Sequence, residues 1–174
     1  NPKAGTETIS STNGISNNFT ISNLTAAGSG WKDLELYVHW NQSSTWSGDG
    51  YFVFRDNAGN TSPTKGCYNY WGWSVGSSYG TGTSTQYVYP VSYSNLWSSM
   101  RLYCANAFSN QNTKAWWWEH GHSNGANTSY ACVQAGAGVF ETSNPVEQMT
   151  FTTPWANGSG TYQGWVIVGR NPTT

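Results

Sequence analysis

Charge is the scarcest property of this chain. Only 9% of its 174 residues are charged, and seven Lys and Arg against eight Asp and Glu leave a formal net charge of −1. The basic residues (Lys3, Lys32, Arg55, Lys65, Arg101, Lys114 and Arg170) are scattered. A nucleic-acid binder needs a basic stripe to neutralise phosphates, and docking on an anionic membrane needs a basic cluster. Neither nucleic acid nor membrane is therefore expected as a partner. No stretch approaches the roughly 18 consecutive apolar residues of a membrane-spanning helix.

Cysteine is also sparse. Cys67, Cys104 and Cys132 form no CxxC pair, so a zinc ribbon or a thioredoxin-like site has no support. Three small buried thiols in a chain that folds in a reducing compartment is the expectation. One bridge plus one free thiol is the alternative.

The signatures of catalysis are missing as well. The sequence holds no GxSxG elbow, GxGxxG loop, P-loop or HExxH helix. Five Glu and three Asp leave few carboxylate pairs for glycoside hydrolysis. The expectation is a protein that is not an enzyme and carries no cofactor.

Helical periodicity is almost absent: no window keeps apolar residues at i, i+3, i+4 and i+7 without an interrupting Gly or Pro. Period-two alternation recurs instead. Leu34, Leu36, Val38 and Trp40 share one parity, and Glu35, Tyr37 and His39 the other, which predicts a half-buried strand. Strands are likewise predicted over 19–24, 51–55, 68–75, 85–91, 99–105, 115–120, 129–135, 146–152 and 162–168. Turn chemistry separates them, as in Ser47-Gly48-Asp49-Gly50 and Asp56-Asn57-Ala58-Gly59-Asn60. The fold class that follows is all-β, an antiparallel β-sandwich or jelly roll of about ten short strands. Residues 1–16 read as a flexible arm or linker, 17–170 as one domain and 171–174 as a tail.

Two short motifs invite a metal. His120 and His122 would share a strand face, a spacing that can chelate one ion, but a third ligand such as His39 would have to come from elsewhere. A polar strand end running into a loop accounts for the motif equally simply, and no metal site is assigned. The Asp56–Asn60 run lacks the alternating acidic ligands of a calcium loop and reads as a hairpin turn.

Aromatics are abundant: 16% of the chain, with eleven Trp and eleven Tyr. They concentrate in Tyr68, Tyr70, Trp71 and Trp73 and in Trp116-Trp117-Trp118. On a strand, Trp116 and Trp118 face one side and Trp117 the other. Both faces of such a strand can be apolar only if both are covered, one by a second sheet and the other by a loop, a ligand or a subunit. The candidate binding residues are Tyr70, Trp71, Trp73, Trp116 and Trp118. They would serve as a sugar-stacking platform or as subunit-contact anchors, with plain core packing as the simplest reading.

The order of segments resembles a β-sandwich domain of virion proteins in marine tailed bacteriophages, of the capsid-decoration or tail-fibre type. The resembling stretches are Phe19-Thr20-Ile21, Leu34 to Val38, Gly50 to Phe54, Ala107 to Lys114, Asn144 to Phe151, Gly158 to Gly160 and Gly164 to Gly169, which together span about residues 18–169. The abundance of Trp departs from that pattern. The resemblance implies a non-enzymatic structural protein on the virion surface, assembled with other virion subunits as a homo-oligomer, that can also attach to a host-surface glycan. A carbohydrate-binding module or lectin-like domain, secreted or extracellular, is the alternative.

Overall fold

A computed structural model describes residues 6–13, 18–42, 50–61, 65–72, 75–82, 86–88, 96–123, 131–152 and 160–173, with side chains described for 20–39, 53–61, 99–121, 135–150 and 166–173. Among them are twelve strands and one helical turn. The strands are β1 (Thr6–Asn13), β2 (Asn18–Ile21), β3 (Trp31–Gln42), β4 (Gly50–Asp56), β5 (Lys65–Gly72) and β6 (Val75–Gly82). They continue with β7 (Gln86–Val88), β8 (Leu96–Ala105), β9 (Thr113–Ser123), β10 (Ala131–Glu141), β11 (Val146–Thr152) and β12 (Gly160–Pro172), and α1 is Leu24–Ala27.

The strands form two sheets. The large one runs β1-β12-β3-β8-β9-β10-β5-β6, the small one β2-β11-β4-β7, and the neighbours pair antiparallel. The two sheets pack as a β-sandwich, the fold class read from the alternation. Each of the ten predicted strands overlaps an observed one. The additions are β1 and the Gly/Ser-rich β6.

Period two explains where the core sits. Leu34, Leu36 and Val38 of β3, Met100, Leu102 and Cys104 of β8, Trp116 and Trp118 of β9, Phe140 of β10 and Ile167 of β12 point inward. They meet Ile21, Phe54, Val146 and Met149 from the small sheet in one cluster. The paired registers Leu36↔Leu102 and Leu102↔Trp118 keep like faces together across three strands. The indoles of Trp116 and Trp118 lie over Gly138 and Gly136 of β10, where a Cβ would overlap either ring. Small residues on one strand thus make room for large ones on the next.

The chain ends differ from the sequence reading. Residues 1–16 do not form an arm throughout, because Thr6–Asn13 adds β1 to the edge of the large sheet along β12. Nor are residues 171–174 wholly a tail: β12 runs to Pro172, and the Thr173 amide donates to the Gly30 carbonyl at 2.9 Å. Both segments are polar, so their hydrophobic pattern gave no strand signal. Backbone pairing to an edge needs none.

Two polar anchors fix the ends of the sandwich. Asp56 closes the turn after β4: its carboxylate accepts from the amides of Ala58 (3.0 Å) and Asn60 (2.8 Å), and from Thr142, Asn144 and the Asn60 side chain. The run 56–60 is a turn, with Gly59 at φ +92 as such a turn requires. Its carboxylate is occupied by protein donors. Lys114 is fully buried, and its Nζ donates to the carbonyls of Ser109 (2.6 Å) and Gln111 (2.7 Å), tying down the β8–β9 connection.

Candidate functional site

With the small sheet covering one face of the large sheet, the other face presents the alternate residues. On β3 these are Asp33, Glu35, Tyr37 and His39; on β8, Ser99, Arg101 and Tyr103; on β9, Trp117, Glu119 and Gly121. Register sets them in rows: Glu35–Tyr103–Trp117, Tyr37–Arg101–Glu119 and His39–Ser99–Gly121. Strands in a sheet lie about 4.8 Å apart, so each row is a line of touching neighbours.

The polar side chains are locked from below. Glu35 has no exposed surface, yet it carries a charge. Both Arg101 and Arg170 form ion pairs with it through Nε. Burial pushes the Glu35 carboxyl upward, but hydrogen bonds from Tyr37, Arg101 and Arg170 and the Arg101 charge outweigh that effect and hold it below the ordinary Glu range. Glu35 in turn holds Arg101 more firmly protonated. Asp33 accepts from the Asn106 amide at 2.6 Å, from the Tyr103 hydroxyl and from the Asn171 side chain. Burial, with donation to Asp33, pushes the Tyr103 phenol upward.

Above this layer sit the exposed rings. Trp117 is 37% exposed and Tyr37 38%, the exposed large hydrophobic side chains among the described residues. The Arg101 guanidinium carbon lies 5.0 Å from the Trp117 ring centroid, within cation–π range. Tyr103 packs against the same ring with centroids 6.1 Å apart and planes tilted by 34°. Beyond Trp117, β10 presents only the methyl groups of the exposed Ala135 and Ala137, the register neighbours of Glu119 and Trp117. The indole is therefore oriented by two neighbours and left accessible.

Past the Arg101–Glu119 row, on the side away from Trp117, the surface dips. Ser99 and Gly121 are too small to fill their row, and a Cβ on Gly121 would meet nothing within 4 Å. The result is a depression of about 400 Å³ bordered by Tyr37, Ser99, Arg101, Glu119 and Gly121, with Met100 and His120 beneath. Its volume falls within the roughly 300–1,000 Å³ of ligand pockets. Arg101 Nη1 lies 3.7 Å from a Glu119 oxygen across its rim.

The structure brings together a different set from the one read in the sequence. Trp116 and Trp118 are 2% and 1% exposed, in the core against the small sheet and out of reach of a surface ligand. The accessible ring on that strand is the one between them, Trp117. Tyr70 and Trp71 lie on β5, paired with Gln134 and Val133 of β10; their side chains fall outside the described residues, and Trp73 falls outside them entirely. The parity of Trp117 was legible in the sequence, because it is shared with the charged Glu119. The partnership of Glu35 with Arg101 and Arg170 was not, since those residues lie 66 and 135 positions away.

The histidines do not converge either. His120 is 1% exposed on the inner face, whereas His39 is exposed on the outer face in the row of Ser99 and Gly121. One sheet thickness separates the faces they occupy, so His39 is not the third ligand that His120 would need. The side chain of His122 is outside the described residues. Cys104 is a buried free thiol, pushed upward by burial. The side chains of Cys67 and Cys132 are outside the described residues.

No protein-family model and no curated protein matches the chain. Among solved structures it is similar to an endo-beta-1,4-glucuronan lyase from the fungus Trichoderma reesei (12% identity, 95% of this chain and 79% of that one, TM-score 0.36). It is also similar to the CBM2 module of the evolved Dit of Lactobacillus casei BL23 phage J-1 (9% identity, 90% and 70% covered, TM-score 0.31). A third is an alginate lyase in complex with an alginate trisaccharide (12% identity, 84% and 73% covered, TM-score 0.27). Likenesses this distant assign no function.

Proposed function

We propose that the chain is a non-catalytic contact domain that binds carbohydrate on the outer face of its large sheet, and that it does so from the surface of a virus particle. The observation that carries the glycan reading is Trp117: an exposed indole, oriented by Arg101 and Tyr103, separated by the Arg101–Glu119 row from a depression that those two residues help to line. An indole face matches the C–H-rich face of a pyranose, and the Arg101 and Glu119 rim suits its hydroxyls.

The non-catalytic part is supported by what the inner carboxylates of this face hold: Glu35 pairs with Arg101 and Arg170, Asp33 accepts from the Asn106 amide, Tyr103 and Asn171, and neither lines the depression. The virion placement is supported by the segment resemblance and by a near-neutral charge balance that gives nucleic acid little to hold.

Isothermal titration against an oligosaccharide panel tests the glycan reading. Burying a large apolar side chain contributes about 1.5–3 kcal/mol, so Trp117→Ala should weaken binding by about tenfold to a hundredfold with the melting temperature nearly unchanged. Equal binding by wild type and variant would refute the site. Antibodies to the chain should label intact phage particles; failure to label them would remove the virion placement and leave the glycan site standing.

A further inference from the structure

We infer that the depression lined by Tyr37, Ser99, Arg101, Glu119 and Gly121 selects neutral sugars and rejects acidic ones, with Glu119 as the residue that sets this specificity; the inference rests on the carbohydrate reading above. An outer face with two arginines looks at first like a receptor for a carboxylated sugar. The charge layout says otherwise. Arg101 and Arg170 both spend Nε on Glu35, which lies beneath them with no exposed surface. Arg170 also donates to the Tyr37 hydroxyl at 3.4 Å. Arg101 places its guanidinium over Trp117 and its Nη1 toward Glu119.

Among the described residues around Arg101, the carboxylates Asp33, Glu35 and Glu119 outnumber the guanidinium groups of Arg101 and Arg170. Asp33 is closed off by the Asn106 amide, the Tyr103 hydroxyl and Asn171. Glu119 is the acidic group left at the rim of the depression, with its side chain 52% exposed. A ligand carboxylate would meet that charge, and could reach Arg101 only by competing with both Glu119 and the buried Glu35. A neutral pyranose meets no such conflict. One hydroxyl can donate to Glu119 while its neighbour accepts from Arg101, whose guanidinium is held by Trp117.

The test compares neutral and acidic trisaccharides by isothermal titration. Cellotriose, mannotriose and galactotriose form the neutral arm, and trimers of glucuronate, mannuronate and guluronate the acidic arm. Wild type, Glu119→Gln and Trp117→Ala are each measured at about pH 8, where an ordinary imidazole is neutral. At least one neutral trimer should bind wild type, with each acidic trimer at least tenfold weaker. Glu119→Gln keeps the shape and removes the charge, so it should narrow that gap at least threefold. Its melting temperature should match wild type, since Glu119 is exposed. Acidic trimers binding as well as neutral ones, or a gap unchanged in Glu119→Gln, would overturn the inference while Trp117-dependent binding still upheld the site. Failure of every trimer to bind would overturn both.

Discussion

Glu35 is the residue on which the outer face turns. Its parity with Tyr37 and His39 was readable from the alternation of β3, but a strand reading alone makes it a solvated carboxylate. Its burial comes from Arg101 and Arg170, supplied by distant strands that local sequence does not connect. Stranding a buried charge without its partners costs about 3–5 kcal/mol, so Arg101→Ala combined with Arg170→Ala, which leaves the buried Glu35 uncompensated, should lower stability by that order in urea unfolding. Arg101→Ala leaves Glu35 its Arg170 partner and should cost less. The pH dependence follows in sign. Glu35 and Asp56 are both depressed in the folded chain. Burial raises Asp56, but Thr142, Asn60 and Asn144 bring it from the ordinary 3.8 to about 2. Unfolded carboxyls bind protons first as pH falls, so the stability from these groups is complete above about pH 5. It declines through their unfolded values and is lost by about pH 2. Acid titration monitored by circular dichroism should give an unfolding limb in that window, shifted toward neutrality in Asp56→Asn. A limb unchanged by that substitution would contradict the anchoring role.

The tryptophan strand β9 shows what alternation can and cannot say. Splitting Trp116 and Trp118 from Trp117 needed only period two. Deciding which side is wet needed the neighbours, and two rings on one side look like a platform until Leu102, Cys104 and the glycines of β10 are found beneath them. Glu119, of the same parity as Trp117, was the available signal. The fit of large against small also makes a sharp prediction. In Gly138→Ala the added methyl would overlap the Trp116 ring, which is too enclosed to swing away. Overpacking of this kind costs about 1–3 kcal/mol, which for a domain of this size lowers the melting temperature by about 2–12 °C. Gly121→Ala faces open space and should leave stability almost unchanged, apart from the small preference of a strand for Ala over Gly. Equal melting temperatures for the two variants would refute the packing account. The edge strands β1 and β6 were illegible for the opposite reason. Their Ser, Thr and Gly carry no hydrophobic alternation, and backbone pairing joins them to the sheet.

At the scale of the whole molecule, the small sheet packs on one face of the large sheet, and among the described residues the polar cluster and the exposed rings lie on the other. The sequence pattern predicts an aromatic strand with two apolar faces and two covers; the inner face of β9 is apolar and covered by the small sheet, whereas its outer face mixes Trp117 with Glu119 and Gly121. On the reading proposed here a glycan would meet that outer face; on the rival one, a neighbouring subunit would. Sedimentation of Trp117→Arg separates them: a glycan face predicts an unchanged oligomeric state, whereas a subunit contact predicts dissociation. The most direct measurement is amide chemical-shift mapping by NMR, titrating the wild-type chain with the neutral trisaccharide that binds best. The account predicts shifts grouped on β3, β8 and β9 around Tyr37, Ser99, Arg101, Trp117 and Gly121, with β2, β4 and β11 of the small sheet silent. Shifts grouped on the small sheet or along the β1 edge would contradict it.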